Sequence, residues 1–191
     1  MRRSAEEKTR THERIVEIAS ARIREDGVDE PGVAEIMRAA GLTHGGFYKH
    51  FGSRDDMLTE AAYHAFSYAN RTMDKYVHDE RDPLGAWVDW YVSAEHRDEP
   101  GNGCPVAALI GHMKRCNDHV RDGYDALVER YIGVLAGMLG GGDDARHEAI
   151  VAVSALVGSL VLARAINDDT QSKEILGTVR EALSQPQRTV Q

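Results

Sequence analysis

Cysteine is scarce in this 191-residue chain: only Cys104 and Cys116 occur. Two thiols cannot build the bridged framework of a small secreted protein, so a reducing cytoplasm is the expected setting. The opening Met-Arg-Arg-Ser-Ala-Glu-Glu has no apolar core of the kind a secretory signal carries. Long apolar runs are also missing, the longest uncharged one being fifteen residues, 149–163. A bilayer crossing takes about 20 apolar residues, so no membrane association is expected. Sustained apolar–polar alternation and internal repeats are absent too, which removes sheet and solenoid architectures. Gly-x-Ser-x-Gly and His-Glu-x-x-His do not occur, and no Lys-Ser/Thr pair follows Gly140–Gly142. The chain is therefore not expected to be an enzyme, to hold a metal or to need a cofactor.

Positive charge is in deficit, with 23 Lys and Arg against 31 Asp and Glu for a net charge of −8. That balance argues against wholesale coating of nucleic acid, but binding responds to the local field. Most of the excess acid lies beyond residue 58, and residues 42–54 carry Lys49 and Arg54 with no acid. A basic arm, Arg2 to Arg14, precedes them.

Apolar spacing near 3.6 predicts an all-α protein of about nine helices. They cover residues 5–26, 33–40, 44–50, 54–78, 82–97, 104–116, 118–139, 143–166 and 171–184. Gly27 and Gly41 stand in C′ positions, Thr43 and Ser53 where N-caps belong, and Asp82-Pro83 as N-cap and N1. Two short helices joined by Gly41-Leu42-Thr43 fit a helix-turn-helix, in which the second helix enters the major groove.

The pattern Val33-x-x-Ile36-x-x-x-Ala40-Gly41-Leu42-Thr43-x-Gly45-x-Phe47-Tyr48-x-His50-Phe51-x-Ser53-Arg54-x-x-x-Leu58 resembles the DNA-binding domain of the TetR family of bacterial transcriptional regulators. The resemblance implies a helix-turn-helix domain over 1–52 and a helical regulatory domain over 53–191. It implies a cytoplasmic repressor that binds a palindromic double-stranded DNA operator as a homodimer through its last two helices and is released by a small-molecule effector. Carried over by position, Thr43, His44, Gly45, Gly46, Tyr48, Lys49 and His50 face DNA, and Arg54 holds a phosphate. Independently of the resemblance, Tyr48 and His50 offer short rigid donors, and Lys49 is the long cation suited to a guanine edge or a phosphate. Phe47 and Phe51, four apart, read as core. The plainer alternatives are a surface aromatic for Tyr48, a packed structural histidine for His50 and a solvated helix-end charge for Arg54. His44 and Gly46 depart from the family pattern and shorten the reach of the recognition helix. Protonation of His44 or His50 is expected to strengthen DNA binding below about pH 6.5.

In the regulatory half, Tyr63, Phe66, Trp87, Trp90, Tyr91, Met113, Tyr124 and Tyr131 are candidates to line a pocket for an apolar or aromatic effector, with ordinary core packing as the alternative. Cys104, at a helix N-terminus, is a candidate redox sensor or a plain buried thiol. Cys104, His112, Cys116 and His119 match no standard metal spacing. The small residues Ser154, Ala155, Gly158, Ser159 and Ala163 on the apolar helix near 150–166 suit close helix approach at a dimer interface or within one core.

Overall fold

The computed structural model describes residues 2–77 and 81–184, with side chains from residue 5 onward. Among the described residues nine α-helices run Arg2–Asp26 (α1), Val33–Ala39 (α2), Arg54–Val77 (α3), Pro83–Tyr91 (α4), Ala94–Asp98 (α5), Pro105–Leu109 (α6), Asp118–Met138 (α7), Asp143–Ala165 (α8) and Asp169–Ser184 (α9). Three 3-10 segments, His44–Lys49, Pro100–Asn102 and Ile110–Arg115, complete the secondary structure, and no strand occurs among the described residues.

The helix ends follow local chemistry. Gly27 and Gly41 close α1 and α2 at φ +86° and +71°, values that a side chain would resist. Ser53 Oγ accepts the Asp56 amide at 3.0 Å and starts α3, and Asp82 accepts the Gly85 amide at 2.9 Å to start α4. Thr43 occupies the expected N-cap position with extended backbone but makes no side-chain capping bond.

Three expected helices differ. The segment after the turn is a 3-10 helix rather than an α-helix, because six residues with two adjacent glycines have little α-propensity to enforce a 13-atom ring. The expected 82–97 helix is two, since Ser93 Oγ accepts the His96 amide at 3.1 Å and re-caps the chain as α5. The expected 104–116 helix keeps α geometry only to Leu109; beyond it Gly111 weakens the ladder, while His112 and Arg115 are drawn to the α1–α2 loop.

Contacts divide the chain into two compact units, Met1–Tyr68 with Pro100–Gly123, and Ala69–Glu99 with Tyr124–Gln191. The 1–52 segment lies wholly in the first, together with residues from the 53–191 segment. The first unit's core joins Ile15, Ala19 and Ile23 of α1 to Ile36 and Met37 of α2, and adds Phe47, Phe51 and Met57. Arg24, also buried, donates to Ser20 O at 3.0 Å and Gly103 O at 3.2 Å, and lies 5.3 Å from the Tyr68 ring.

In the second unit α8 packs on α9, α4 and α5. By length and composition α8 could cross a bilayer, although its uncharged run alone falls short. Its inner face, including Ala149, Val153, Leu156 and Leu160, is buried core. His96 stacks on Trp90 at 4.4 Å and donates from Nδ1 to Tyr91 O at 2.7 Å. Arg164 crosses from α8 to bond the carbonyls of His96 and Arg97.

Burial holds the His96 pKa down at about 4, against the Tyr91 carbonyl bond and with the help of nearby Arg164. The folded unit thus keeps this imidazole neutral where the unfolded chain would protonate it. Its contribution to stability is complete above about pH 6.5, declines as the pH falls, and amounts to roughly 3 kcal/mol lost by pH 4. Thermal melts at pH 7.5 and 4.5 are expected to show a loss for the wild type that is clearly smaller for His96→Phe. An equal loss in both would remove His96 as the cause.

Candidate nucleic-acid interface

The recognition segment follows from its 3-10 geometry. With three residues per turn, positions three apart eclipse one another. His44, Phe47 and His50 form one row, Gly45 and Tyr48 a second, Gly46 and Lys49 a third. Phe47 anchors the first row in the core at 2% exposure, against Phe51 at 5.4 Å. The second row is thereby turned outward, and Tyr48 is 71% exposed.

Tyr48, Lys49 and His50 line an open groove with Glu7, Lys8 and Thr11 of α1. Thr43, His44 and Gly45 are exposed at the start of the segment. Lys8 belongs to the basic arm; Glu7 and Thr11 were not singled out in the sequence, though Glu7 and Lys8 precede Thr11 by four and three residues, a spacing that puts them on one helix face. The side chains of Arg2 and Arg3 lie outside the described residues.

The two glycines differ. A Cβ on Gly45 would meet nothing within 4 Å, whereas one on Gly46 would meet Met37 Cε at 3.5 Å, an ordinary contact. A side chain at 46 therefore begins against the core rather than toward a ligand. Gly46→Ala is expected to keep or raise stability, by up to about 1 kcal/mol, and to leave DNA affinity close to wild type. Gly45→Ala is expected to fold as well and to bind DNA more weakly, because its methyl stands on the outer surface. Melting curves and DNA titrations of the two variants check the contrast, and weaker binding by Gly46→Ala alone would reverse it.

His50 is half-buried, and its Nδ1 is enclosed without a hydrogen-bond partner. Desolvation, then the nearby His12, Lys8 and Lys49, push its pKa below the ordinary histidine value. Any gain in DNA affinity from protonating His50 consequently falls at lower pH than the 6.5 expected for a free imidazole. His12, whose ring stacks on Phe51 at 4.7 Å, bonds Glu60 at 2.6 Å and ties α1 to α3 behind the groove.

Arg54 does not join this groove. One terminal nitrogen donates to Val28 O at 2.7 Å, Asp29 O at 3.0 Å and, more weakly, Pro31 O at 3.4 Å. That end of the guanidinium ties the α1–α2 loop to the start of α3. The short-range sequence pattern carries no sign of this bond, which spans about 25 positions.

The remaining candidates are placed as follows. Trp87, Tyr91 and Tyr131 are buried, Trp87 ringed by Tyr91 at 5.7 Å, Tyr131 at 5.6 Å and the half-buried Trp90 at 5.2 Å. Tyr124 and Phe66 are buried as well. Tyr63 donates to His119 O at 2.9 Å, and Met113 is half-buried. Cys104 is buried at 1% exposure. Cys116 is partly exposed and burial raises its thiol pKa, so the thiolate is disfavoured at neutral pH. His112 faces Arg115 and Asp29, while His119 faces Tyr63; no group of three metal-binding side chains occurs among the described residues.

Residues 15–61, which include Tyr48, Lys49 and His50 of this groove, match the family described as bacterial regulatory proteins, tetR family. Over that segment the chain is of the TetR family. A helix-turn-helix-type transcriptional regulator of Mycobacterium tuberculosis is 28% identical over 171 residues, covering 83% of this chain and 86% of its own. The solved structure of a TetR-family regulator from Agrobacterium tumefaciens superposes with a TM-score of 0.79 at 17% identity, covering 93% of this chain and all of that one. A TetR regulator from Chloroflexus aurantiacus gives 0.80 at 20% identity, covering 94% and 97%. This TetR-family chain is thus a DNA-binding transcriptional regulator with an N-terminal helix-turn-helix and a helical C-terminal part, and its relatives are regulators rather than enzymes.

Proposed function

We propose that this regulator is a cytoplasmic repressor that binds a palindromic operator as a homodimer and leaves it when a small molecule binds. The observation that carries the reading is the outward row of Gly45 and Tyr48 beside Lys49 and His50, set on a buried Phe47 and flanked by Lys8 and Thr11 of α1. Thr43, His44 and Gly45 begin the segment on the same exposed side. Lys49 supplies a donor for a guanine edge or a phosphate; Tyr48, Thr11 and His50 supply backbone contacts that set register. Gly46 and Arg54 act on DNA indirectly, one by packing and the other through the α1–α2 loop.

Dimerisation through α8 and α9 is supported by the outer face of α8, where Ile150, Val151 and Leu162 are 39%, 66% and 54% exposed around Ser154 and Gly158. An apolar strip with small residues at its centre lets a second copy approach closely. A symmetric pair would place two recognition segments on half-sites about 34 Å apart.

An apolar or aromatic effector is proposed for the regulatory half, where Trp87 and Trp90 are the only tryptophans. Their fluorescence reports directly on a ligand entering the cluster with Tyr91 and Tyr131. Selecting preferred sequences from a random DNA pool tests the function: enrichment of an inverted repeat supports a dimeric operator binder, and a pool that stays random contradicts it.

A further inference from the structure

In the first unit a cleft of about 110 Å3 opens between the α1–α2 loop, the first two turns of α3, the 110–115 segment and the start of α7. Its apolar walls are Leu58, Ala62, Leu109, Met113 and Val120. Of the effector candidates read from the sequence, only Met113 is among its lining residues. An engineered apolar cavity of about 150 Å3 holds a six-carbon ring, so this smaller cleft encloses roughly four or five heavy atoms of a ligand whose remaining atoms reach its open mouth.

The polar lining is biased toward hydrogen-bond donors. Arg54 uses one terminal nitrogen on the loop carbonyls, and neither its Nε nor its other terminal nitrogen has an acceptor among the described residues. Thr59 Oγ1 accepts from Asn117 at 3.0 Å while its own proton has no acceptor among the described residues. The Asn117 carbonyl oxygen already accepts from the Val120 amide at 2.9 Å. Among the carboxylates lining it, Asp29 is paired with Arg115 at 2.9 Å, and Asp55 has no ion-pair partner among the described residues.

We propose that this cleft binds a small amphipathic molecule whose carbonyl or carboxylate oxygen accepts from Arg54 and Thr59 while a short alkyl chain lies on Leu58, Leu109 and Val120. Because the same guanidinium holds the carbonyls of Val28 and Asp29, occupancy is transmitted to the loop between α1 and α2. The site is separate from the aromatic cluster of the second unit. Ligand binding here stands without the DNA-binding reading; only its regulatory consequence rests on that reading.

The test is an NMR titration of the full-length labelled protein with three probes of one chain length: pentanoate, pentan-2-one and protonated pentylamine. Saturable shifts at the Thr59, Met113 and Val120 amides and the Arg54 Nε–H are expected with an acceptor head, followed by the Asp29, Glu30 and Gly32 amides. Response to pentanoate alone identifies an anionic head, to pentan-2-one alone a neutral one, and to both a shared carbonyl acceptor. No saturable shift with either acceptor probe, or an equal response to the amine, overturns the proposal. Met113→Trp, which fills the cleft, is expected to abolish the shifts, and Thr59→Val to weaken binding about 5- to 10-fold through the lost donor. Unchanged affinity in a folded form of either variant also overturns it. DNA binding by the same samples is scored separately, so loss of one reading is distinguishable from loss of the other.

Discussion

Replacing Lys49 or Tyr48 by alanine is expected to lower affinity for the preferred DNA site about 10- to 100-fold per half-site, with only a small change in melting temperature. Tyr48 is 71% exposed and Lys49 is exposed beside it, so neither side chain is part of the core. Truncating them leaves no cavity, and surface changes of this kind usually stay within about 0.5 kcal/mol of wild type. The loss should therefore appear in DNA binding alone. The two variants also separate the roles of the side chains. If Lys49 reads a guanine edge, its removal relaxes preference at one base pair; if it meets a phosphate, binding weakens on all sequences and the salt slope falls by about one. Full affinity in both variants would move the interface away from the recognition segment.

Phe47→Ala, one position away, is expected to do the reverse and cost about 3–5 kcal/mol of stability. Phe47 is 2% exposed and packs its ring on Phe51 at 5.4 Å and edge-on to Tyr48 at 5.2 Å. It anchors a six-residue 3-10 segment that has little helix propensity of its own, so the segment depends on this side chain for its place. Urea denaturation should give a clearly lower midpoint, and DNA affinity should fall because the segment is no longer held. A loss under about 1 kcal/mol would mean that the segment is fixed by other contacts.

Neighbouring residues with opposite expected effects illustrate what the sequence disclosed. The Phe47 and Phe51 spacing marks core, and Ala40-Gly41-Leu42-Thr43 marks a turn, because both depend on local backbone geometry and side-chain period. The 3-10 character of residues 44–49 is less legible, since propensity says only that the glycines weaken an α-helix. Gly45 and Gly46 look alike in the sequence, yet one faces open space and the other Met37. The break at Ser93 is a local capping bond that an uninterrupted apolar pattern hides. Arg54 reads as a free cation at a helix start, and its anchorage on the carbonyls of Val28 and Asp29 appears only when residues about 25 apart are brought together. His96 gives no signal in the sequence of the burial that keeps it neutral. The cleft beneath the α1–α2 loop is assembled from four separate segments and has no linear signature.

Recognition of DNA by this acidic chain is proposed to run through a small local surface. A titration of the purified protein onto the DNA upstream of its own gene, at two salt concentrations and beside unrelated DNA of equal length, tests it most directly. Saturable binding is expected that prefers the upstream DNA, weakens steeply with salt, and loses its preference in Lys49→Ala. Equal binding to both DNAs, or the same preference in the wild type and Lys49→Ala, would contradict it.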